Sequence, residues 1–354
     1  MAQAWYATRE AVRTALGSAS HARDDAQVDR AIAKGSRDVD SLCNRTFQPR
    51  LATYVFDWPS EQTPRSWRLW LDQYDLIAPT QILSAGVAVP PTDYYLEPAN
   101  EGPPYRWIET RLDRPSAWAG SSTWQHAISI TGLWGYTDVQ APAGQLAAAI
   151  SSTTTTAVLV SDSSAVGVGD LLTIGAERMT VTDKALADTG QTLQTPVTAK
   201  KDDVLLVVAD GTAYHRGEVL TLGGERMRVQ DIAGATLTVE RAYDGSVLAT
   251  HTGDSIWAPR LLTVARGAAG TTAATAADGA ALTRWVPPEQ AQTLAVAEAM
   301  CTLLSEQSGY ARTVRAQAGT GGTRSVAAVT AERDDLRQQV AESDLRRKAR
   351  MRAV

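Results

Sequence analysis

The sequence predicts an α+β protein in which a helical-bundle core with a small antiparallel sheet is interrupted by an inserted all-β repeat module. Three observations predict it. Amphipathic helical patterns lie near both ends of the 354 residues. In the middle a thirteen-residue phrase occurs twice, GDLLTIGAERMTV from Gly169 and GEVLTLGGERMRV from Gly217, identical at eight positions and offset by 48. Of ten tryptophans, eight lie between Trp5 and Trp134, and only Trp257 falls within 143–284, a stretch rich in Ala, Thr, Gly and Val. Such different core material indicates separately packed units. The expected organisation is residues 1–142, the N-terminal part of the core (helices, then a small β region); 143–284, an inserted all-β domain with two repeats; and 285–354, the C-terminal part of the core (helix, linker and a basic C-terminal helix or arm).

Each element has a local reason. Thr8 suits the N-cap of a first helix and Gly17 its left-handed end. Asp24 or Asp25 can cap a second, whose stripe Val28, Ile32, Gly35, Val39 and Leu42 runs to about Asn44. Residues 50–136 have strand-type runs (RLATYVFDW, WRLWLD, HAISITGLWGY) punctuated by Pro90-Pro91 and Pro103-Pro104, and predict one small antiparallel sheet. In each repeat a two-residue turn, GA or GG, joins two strands as a hairpin. A shorter echo follows, TLTVERAYDGS at Thr236 and LLTVARGAAGT at Leu261. Forty-eight residues is small for a sturdy core, so the copies are expected to pack on each other. Pro287-Pro288 and Glu289 open a long helix with a stop signal at Gly309. AGTGGT at Ala318 reads as a linker, and a last helix is expected from about Ser325 to Arg350, with Val326, Val329, Leu336 and Val340 as its stripe.

Composition excludes several chemistries. A net charge of -5 does not advertise nucleic-acid binding by the whole chain. Cys43 and Cys301 are too few for a disulfide framework and read as buried thiols. No apolar run has the length of a membrane span, and the N-terminus lacks a secretory pattern. His21, His126, His215 and His251 show no metal-ligand spacing, and no nucleophile elbow or Walker loop is present, so no catalytic residue, metal or cofactor is assigned. Glu177 and Glu225 stand at equivalent repeat positions. Two carboxylates suggest a hydrolase, but a Glu-Arg dipeptide after a turn reads better as the same local ion pair made twice. Asp162, Asp170, Asp210 and Asp254 fall at turns, where Asp is expected. The tryptophans have no fixed period and read as core or subunit-interface packing. At the end, LRRKARMRAV carries Arg346, Arg347, Lys348, Arg350 and Arg352 and no acid: a solvated helix terminus, or an arm for an acidic partner or DNA phosphates.

With 143–284 set aside, ISITGLWGYTDV would run into WVPPEQAQTLAVAEAMCTLL. These flanks carry three phrases: DSLCNRTFQP with Leu42, Cys43, Arg45 and Phe47; TGLWGY with Thr131, Gly132, Trp134, Gly135 and Tyr136; and a VPxxxxxA helix with Pro287, Ala291 and Ala295. In order and spacing they resemble the head–tail connector, or head–tail adaptor, family of long-tailed bacteriophages, over residues 8–142 and 285–354. The resemblance implies a connector core and a non-enzymatic virion protein of the neck, assembled in the host cytoplasm. It implies a homo-oligomeric ring, commonly a dodecamer, between portal and stopper or tail, with a channel for transient passage of phage DNA. Partners would be other copies, the portal protein (through the basic arm) and a stopper or other neck protein, with no membrane. The alternative is a tail or baseplate protein whose β module binds a host surface carbohydrate; the aromatic poverty of the repeats, with Tyr214, Tyr243 and Trp257, argues against it.

Overall fold

The computed structural model describes residues 4–17, 24–59, 66–115, 118, 122–311 and 326–347. Helix α1 (Arg9–Leu16) starts where the Thr8 side chain accepts the Ala11 N–H, and it ends at Gly17 with φ 58°. Helix α2 (Asp25–Cys43) starts at Asp24, whose carboxylate accepts the Gln27 N–H, and closes at Asn44 in the left-handed conformation. Its stripe of Val28, Ile32 and Val39 is fully buried. The stripe packs on helix α3 (Glu289–Ala311), where Leu294, Ala295, Ala299 and Leu303 join the same core. Gly35 sets the approach: a Cβ there would lie 3.0 Å from the Ala295 carbonyl oxygen. Helix α3 continues past the stop expected at Gly309. Helix α4 (Val326–Glu342) ends well short of Arg350, and contributes Val340 and Leu336 to this core and Val329 to a satellite with Met300 and Cys301.

Between α2 and the repeats the chain forms β1 (Arg50–Phe56), β2 (Arg68–Trp70), β3 (Leu76–Ser84), β4 (Val87–Ala88), β5 (Tyr94–Glu97), β6 (Trp107–Thr110) and β7 (Ile128–Trp134). These are two sheets, not the single one expected: β1-β7-β3-β4 and β2-β6-β5, all antiparallel. They share one core that includes Leu71, Leu76, Ile108, Ile128, Ile130 and Trp134.

The repeats use β8 (Gln140–Gln145), β9 (Ala157–Leu159), β10 (Leu171–Ile174), β11 (Glu177–Thr192), β12 (Leu205–Val207), β13 (Val219–Leu222), β14 (Glu225–Ala233), β15 (Thr236–Glu240), β16 (Ser255–Ala265) and β17 (Ala281–Trp285). Their hydrogen-bonded order is β12-β15-β14-β13-β16-β11-β10-β17-β8, with β9 on β16. The copies are nested, not tandem. In the second, a tight turn at Gly234 joins β14 to β15. In the first, the equivalent strands are the beginning of β11 and the end of β16, and the whole second copy sits at the tip of that long hairpin. The equivalence extends to an irregularity: the register shifts between Val181 and Asp183 in one copy and between Val229 and Asp231 in the other.

Each copy closes on itself. A Leu146–Val160 bridge joins the end of β8 to β9 in the first, and Gln194 N–H donates to the Val207 carbonyl (2.8 Å) in the second. Closure leaves two small barrels with separate interiors, one around Leu172, Met179 and Leu262, the other around Leu220, Met227 and Leu237. It also hides the strand edges that open sheets expose.

A buried ion pair pins each barrel. Glu177 accepts from Arg266 Nε and Nη2, both at 2.7 Å, and from the N–H groups of Gly267 (3.0 Å) and Ala274 (2.8 Å). Glu225 accepts from Arg241 Nε (2.7 Å) and Nη2 (2.9 Å) and from the N–H groups of Ala242 and Ala249, both at 2.9 Å. The remaining guanidinium hydrogens reach carbonyls: Ser152, Thr155 and Ala274 for Arg266, and Thr198, Asp203 and Ala249 for Arg241. The pair is therefore made twice, as expected, but not with the neighbouring arginine. Arg178 turns to Asp138 and Arg226 to Asp244, while the true partners stand in the later echo.

The expectation of a helical-bundle fold does not hold. Strand makes up 36% of the chain and helix 24%, so the protein is mostly β. The reason is that four helices, among the described residues, form one patch of core that is completed by β residues: Leu171, Ala268 and Trp285 are buried in it. The first barrel is likewise no detachable insert, since Trp5 N–H donates to Gly169 O (3.0 Å) and Arg9 N–H to Val168 O (3.1 Å). Separability belongs to the second barrel.

Two outcomes are expected. Replacing 186–260 by an Asn-Gly turn between Ala185 and Leu261, which already face each other across the hairpin, should leave a soluble chain with native helical circular dichroism and a cooperative melt. Burial alone would raise the Glu225 carboxyl, but Arg241 and the two N–H groups override it and hold it at about 2, below the ordinary 4.5. Its stabilisation is thus complete above about pH 4.5 and is lost as the pH falls toward 2. Glu225→Ala, which strands a buried guanidinium, should cost about 3–5 kcal/mol at pH 7, read by urea unfolding, and the gap to the parent chain should narrow below pH 4.5.

Candidate functional site

The three phrases that carry the resemblance meet at one junction. Phe47 follows α2, Trp134 to Tyr136 end β7, and Trp285 ends β17 beside Pro287 at the start of α3. Phe47 packs edge-to-face on Tyr136 (5.3 Å) and on Tyr6 (5.6 Å), and Tyr6 packs on Trp285 (5.9 Å). The Tyr6 hydroxyl donates to Asp40 and accepts the Phe47 N–H (3.1 Å), while Tyr6 N–H donates to Ser36 Oγ (3.0 Å). Burial, then Asp40, pushes the Tyr6 phenol well above its ordinary value, so it stays a donor. Burial also raises the Asp40 carboxyl, and it lifts the Cys43 thiol to about 11, an inert core sulfur.

Cys43 is buried and Leu42 packs beside it. Gly132 lies where β7 faces Pro79 of β3, and Trp134 donates from Nε1 to the Ala52 carbonyl (3.0 Å). Gly135 has φ 143°, and a Cβ there would lie 2.7 Å from the Gln48 carbonyl oxygen, so only glycine fits. Its N–H donates to the Asp75 carbonyl (2.9 Å). Arg45 lies with its guanidinium 4.6 Å from the Tyr136 ring centre and its Nε 3.1 Å from Asp75 Oδ2. That second contact is an ion pair without hydrogen-bond alignment, since Nε has no hydrogen-bond partner among the described residues.

Asp75 binds a second guanidinium, Arg347 at 2.5 Å, and Arg347 N–H donates to the Cys43 carbonyl (2.9 Å). Of the five basic residues at the C-terminus, Arg347 is therefore built into the junction. Arg346 is exposed, and Lys348, Arg350 and Arg352 lie outside the described residues. Asp75, Tyr6 and Gln48 were missed by sequence reasoning. Asp75 stands in an ordinary turn-like run, DQYDL, and no local signal ties it to residues 30 positions earlier and 272 later.

Beside Asp75 a groove of about 490 Å³ opens between the C-terminal end of α2 and the inner face of β1 and β7. Its walls include Tyr54, Tyr74 and Trp134, with Tyr54 stacked on Tyr74 at 4.1 Å, and Arg37, Arg45 and Arg50 at its sides. The acidic groups singled out from the sequence are engaged elsewhere. Glu177 and Glu225 have their oxygens saturated by donors, which leaves neither free for acid–base chemistry. His251 contacts Asp254 (2.7 Å) and Glu225 (3.1 Å). Asp162 accepts from Ser164, and Asp210 from Thr212, as turn residues do. Asp170 is buried, which raises its carboxyl to about 6 against the Gly167 N–H that donates to it. No group of three metal-ligating side chains is present among the described residues.

Asp75→Ala should leave Arg45 buried without its counter-ion and Arg347 without its anchor. A loss of about 3–5 kcal/mol, measured by denaturant unfolding, is expected, with Asp75→Asn milder. Comparison of the chain with protein-family models, with curated proteins and with solved structures found no match.

Proposed function

We propose that this protein is a structural head–tail adaptor of a tailed phage, a ring-forming, non-enzymatic subunit that joins portal to stopper or tail and leaves a channel for DNA. The observation that carries the reading is the junction itself. Of three phrases separated by more than 80 and then 150 residues in the chain, the first two pack directly through Phe47 and Tyr136, and Tyr6, from outside them, links Phe47 to Trp285 just ahead of the third. Phrases that share only composition with a family have no reason to converge. The reading does not depend on a helical bundle: a mostly β subunit with a rigid helix–barrel body serves as a wedge in a closed ring, where one face binds a different face of the next copy. The second barrel, carried on the β11–β16 hairpin and bonded to the first through Ser163 and the buried Glu218, offers a surface to a neighbouring neck or capsid protein.

The test is direct mixing with portal rings. The full chain should co-sediment with them and appear by electron microscopy as an added annulus; absence of any complex overturns the proposal. Within this reading the arm starts after Arg347. Leu345 is buried in the helical core and Arg347 holds Asp75, so a cut after Val340 damages the fold. A cut after Arg347 should leave the melting temperature within a few degrees of the full chain while weakening portal binding about tenfold at low salt, the scale expected of several lost charge contacts.

A further inference from the structure

The groove beside Asp75 has a chemical demand that nothing within the described residues meets. Gln48 is 5% exposed, lines the groove, and its Oε1 is buried without a hydrogen-bond partner. A buried acceptor left unpaired is costly, and a donor brought to the groove, with the amide turned toward it, would relieve that cost. The surroundings call for something more. Four guanidinium groups, Arg37, Arg45, Arg50 and Arg347, meet only two carboxylates there, Asp40 and Asp75, and both carboxylates are already engaged. The groove is thus electropositive, with exposed Arg50 at the rim and an unsatisfied acceptor deeper in. It fits a surface that offers carboxylates flanking an amide N–H.

The chain carries such a surface on α4. Arg337 turns inward to the buried Glu298 and Val340 enters the core. The opposite side shows Asp335, Gln339 and Glu342, all exposed. They sit at i, i+4 and i+7, on one side of a helix and within about 10 Å of each other along its axis. The side chains of Asp335 and Gln339 have no hydrogen bond or ion pair among the described residues, while Glu342 accepts from Gln338 (3.0 Å). Two carboxylates and an amide N–H on one face are the chemical complement of a groove with excess guanidinium charge and an unpaired acceptor. Resting on the adaptor reading, we propose that the groove receives the outer face of α4 from a second copy of this chain, Gln339 donating to Gln48 and Asp335 pairing with Arg50, as the heterologous contact that closes the ring.

The experiment is the assembly state of the full chain by sedimentation velocity and electron microscopy, with thermal melts as a folding control. Arg50 and Asp335 are both exposed, so Arg50→Glu and Asp335→Arg should keep the parent melt. Each should raise the concentration for half-assembly about tenfold or more, and the double variant should regain assembly. Gln48→Leu, which removes an unpaired acceptor and no charge, should also weaken assembly, a response that a general electrostatic field would not produce. Unchanged assembly in Arg50→Glu and Asp335→Arg, or no recovery in the double variant, overturns the inference. If those same variants still bind portal rings, the adaptor reading stands without it. A parent chain that neither self-associates nor binds portal removes both.

Discussion

The short segment from Ala4 to Arg9 is the constraint on which the arrangement depends. It is wedged between three bodies. Tyr6 fills the junction of α2, β7 and α3. Trp5 and Arg9 bond through their main chain to the first barrel. The Arg9 guanidinium, nearly buried, binds Asp29 of α2 at 2.7 Å and Asp183 of β11 at 3.0 Å. Burial works against that charge, yet the hydrogen bonds it donates to Asp29 and Asp183 hold the guanidinium firmly protonated. Without this segment the helices and the first barrel would present unpaired faces to water. With it, they share a single core in which Leu171 and Ala268 of the barrel lie beside Val12 and Val28 of the helices.

Nesting explains both the doubled phrase and its spacing. A tandem copy would need its own edges and its own attachment. A copy placed at the tip of an existing hairpin inherits both, because β11 and β16 run through the two barrels without interruption. The cost is length in those strands, and the register irregularities along β11 bend them from one barrel into the next. Each barrel is small, and each is held by one glutamate whose oxygens gather an arginine and two backbone N–H groups. A fully satisfied buried pair of that kind specifies a unique closure more than it adds stability. Loop stretches 267–276 and 242–251 are organised around it through the N–H groups of Gly267 and Ala274 and of Ala242 and Ala249.

Much of this was legible in the residues. The caps at Thr8 and Asp24 and the stripe of α2 follow from local chemistry, and so do the strands around the GA and GG turns. The phrases around Phe47, Trp134 and Pro287 stand out one by one in the sequence, although their mutual packing does not. What local reading could not supply is partner choice across distance. Glu177 has an arginine next to it in the chain and pairs with one 89 residues away, because the side chain following it points to the other side of the strand. Arg347 looked equivalent to its basic neighbours, and only the position of Asp75 sets it apart. The strands of 50–136 and 143–284 were legible as such; what the helical stripes alone could not show is that the core they suggest is completed by residues such as Leu171 and Trp285 of the strands.

Native-state hydrogen exchange, resolved by residue, tests the central claim that the helices and the first barrel are one cooperative body while the second barrel is a tethered addition. The account predicts that amides in α2, α3, β10 and the first half of β11 exchange through one opening of common free energy, and that β13, β14 and β15 exchange through a separate, lower one. Exchange of α2 and α3 through an opening independent of β10, or of both barrels together and apart from the helices, would contradict it.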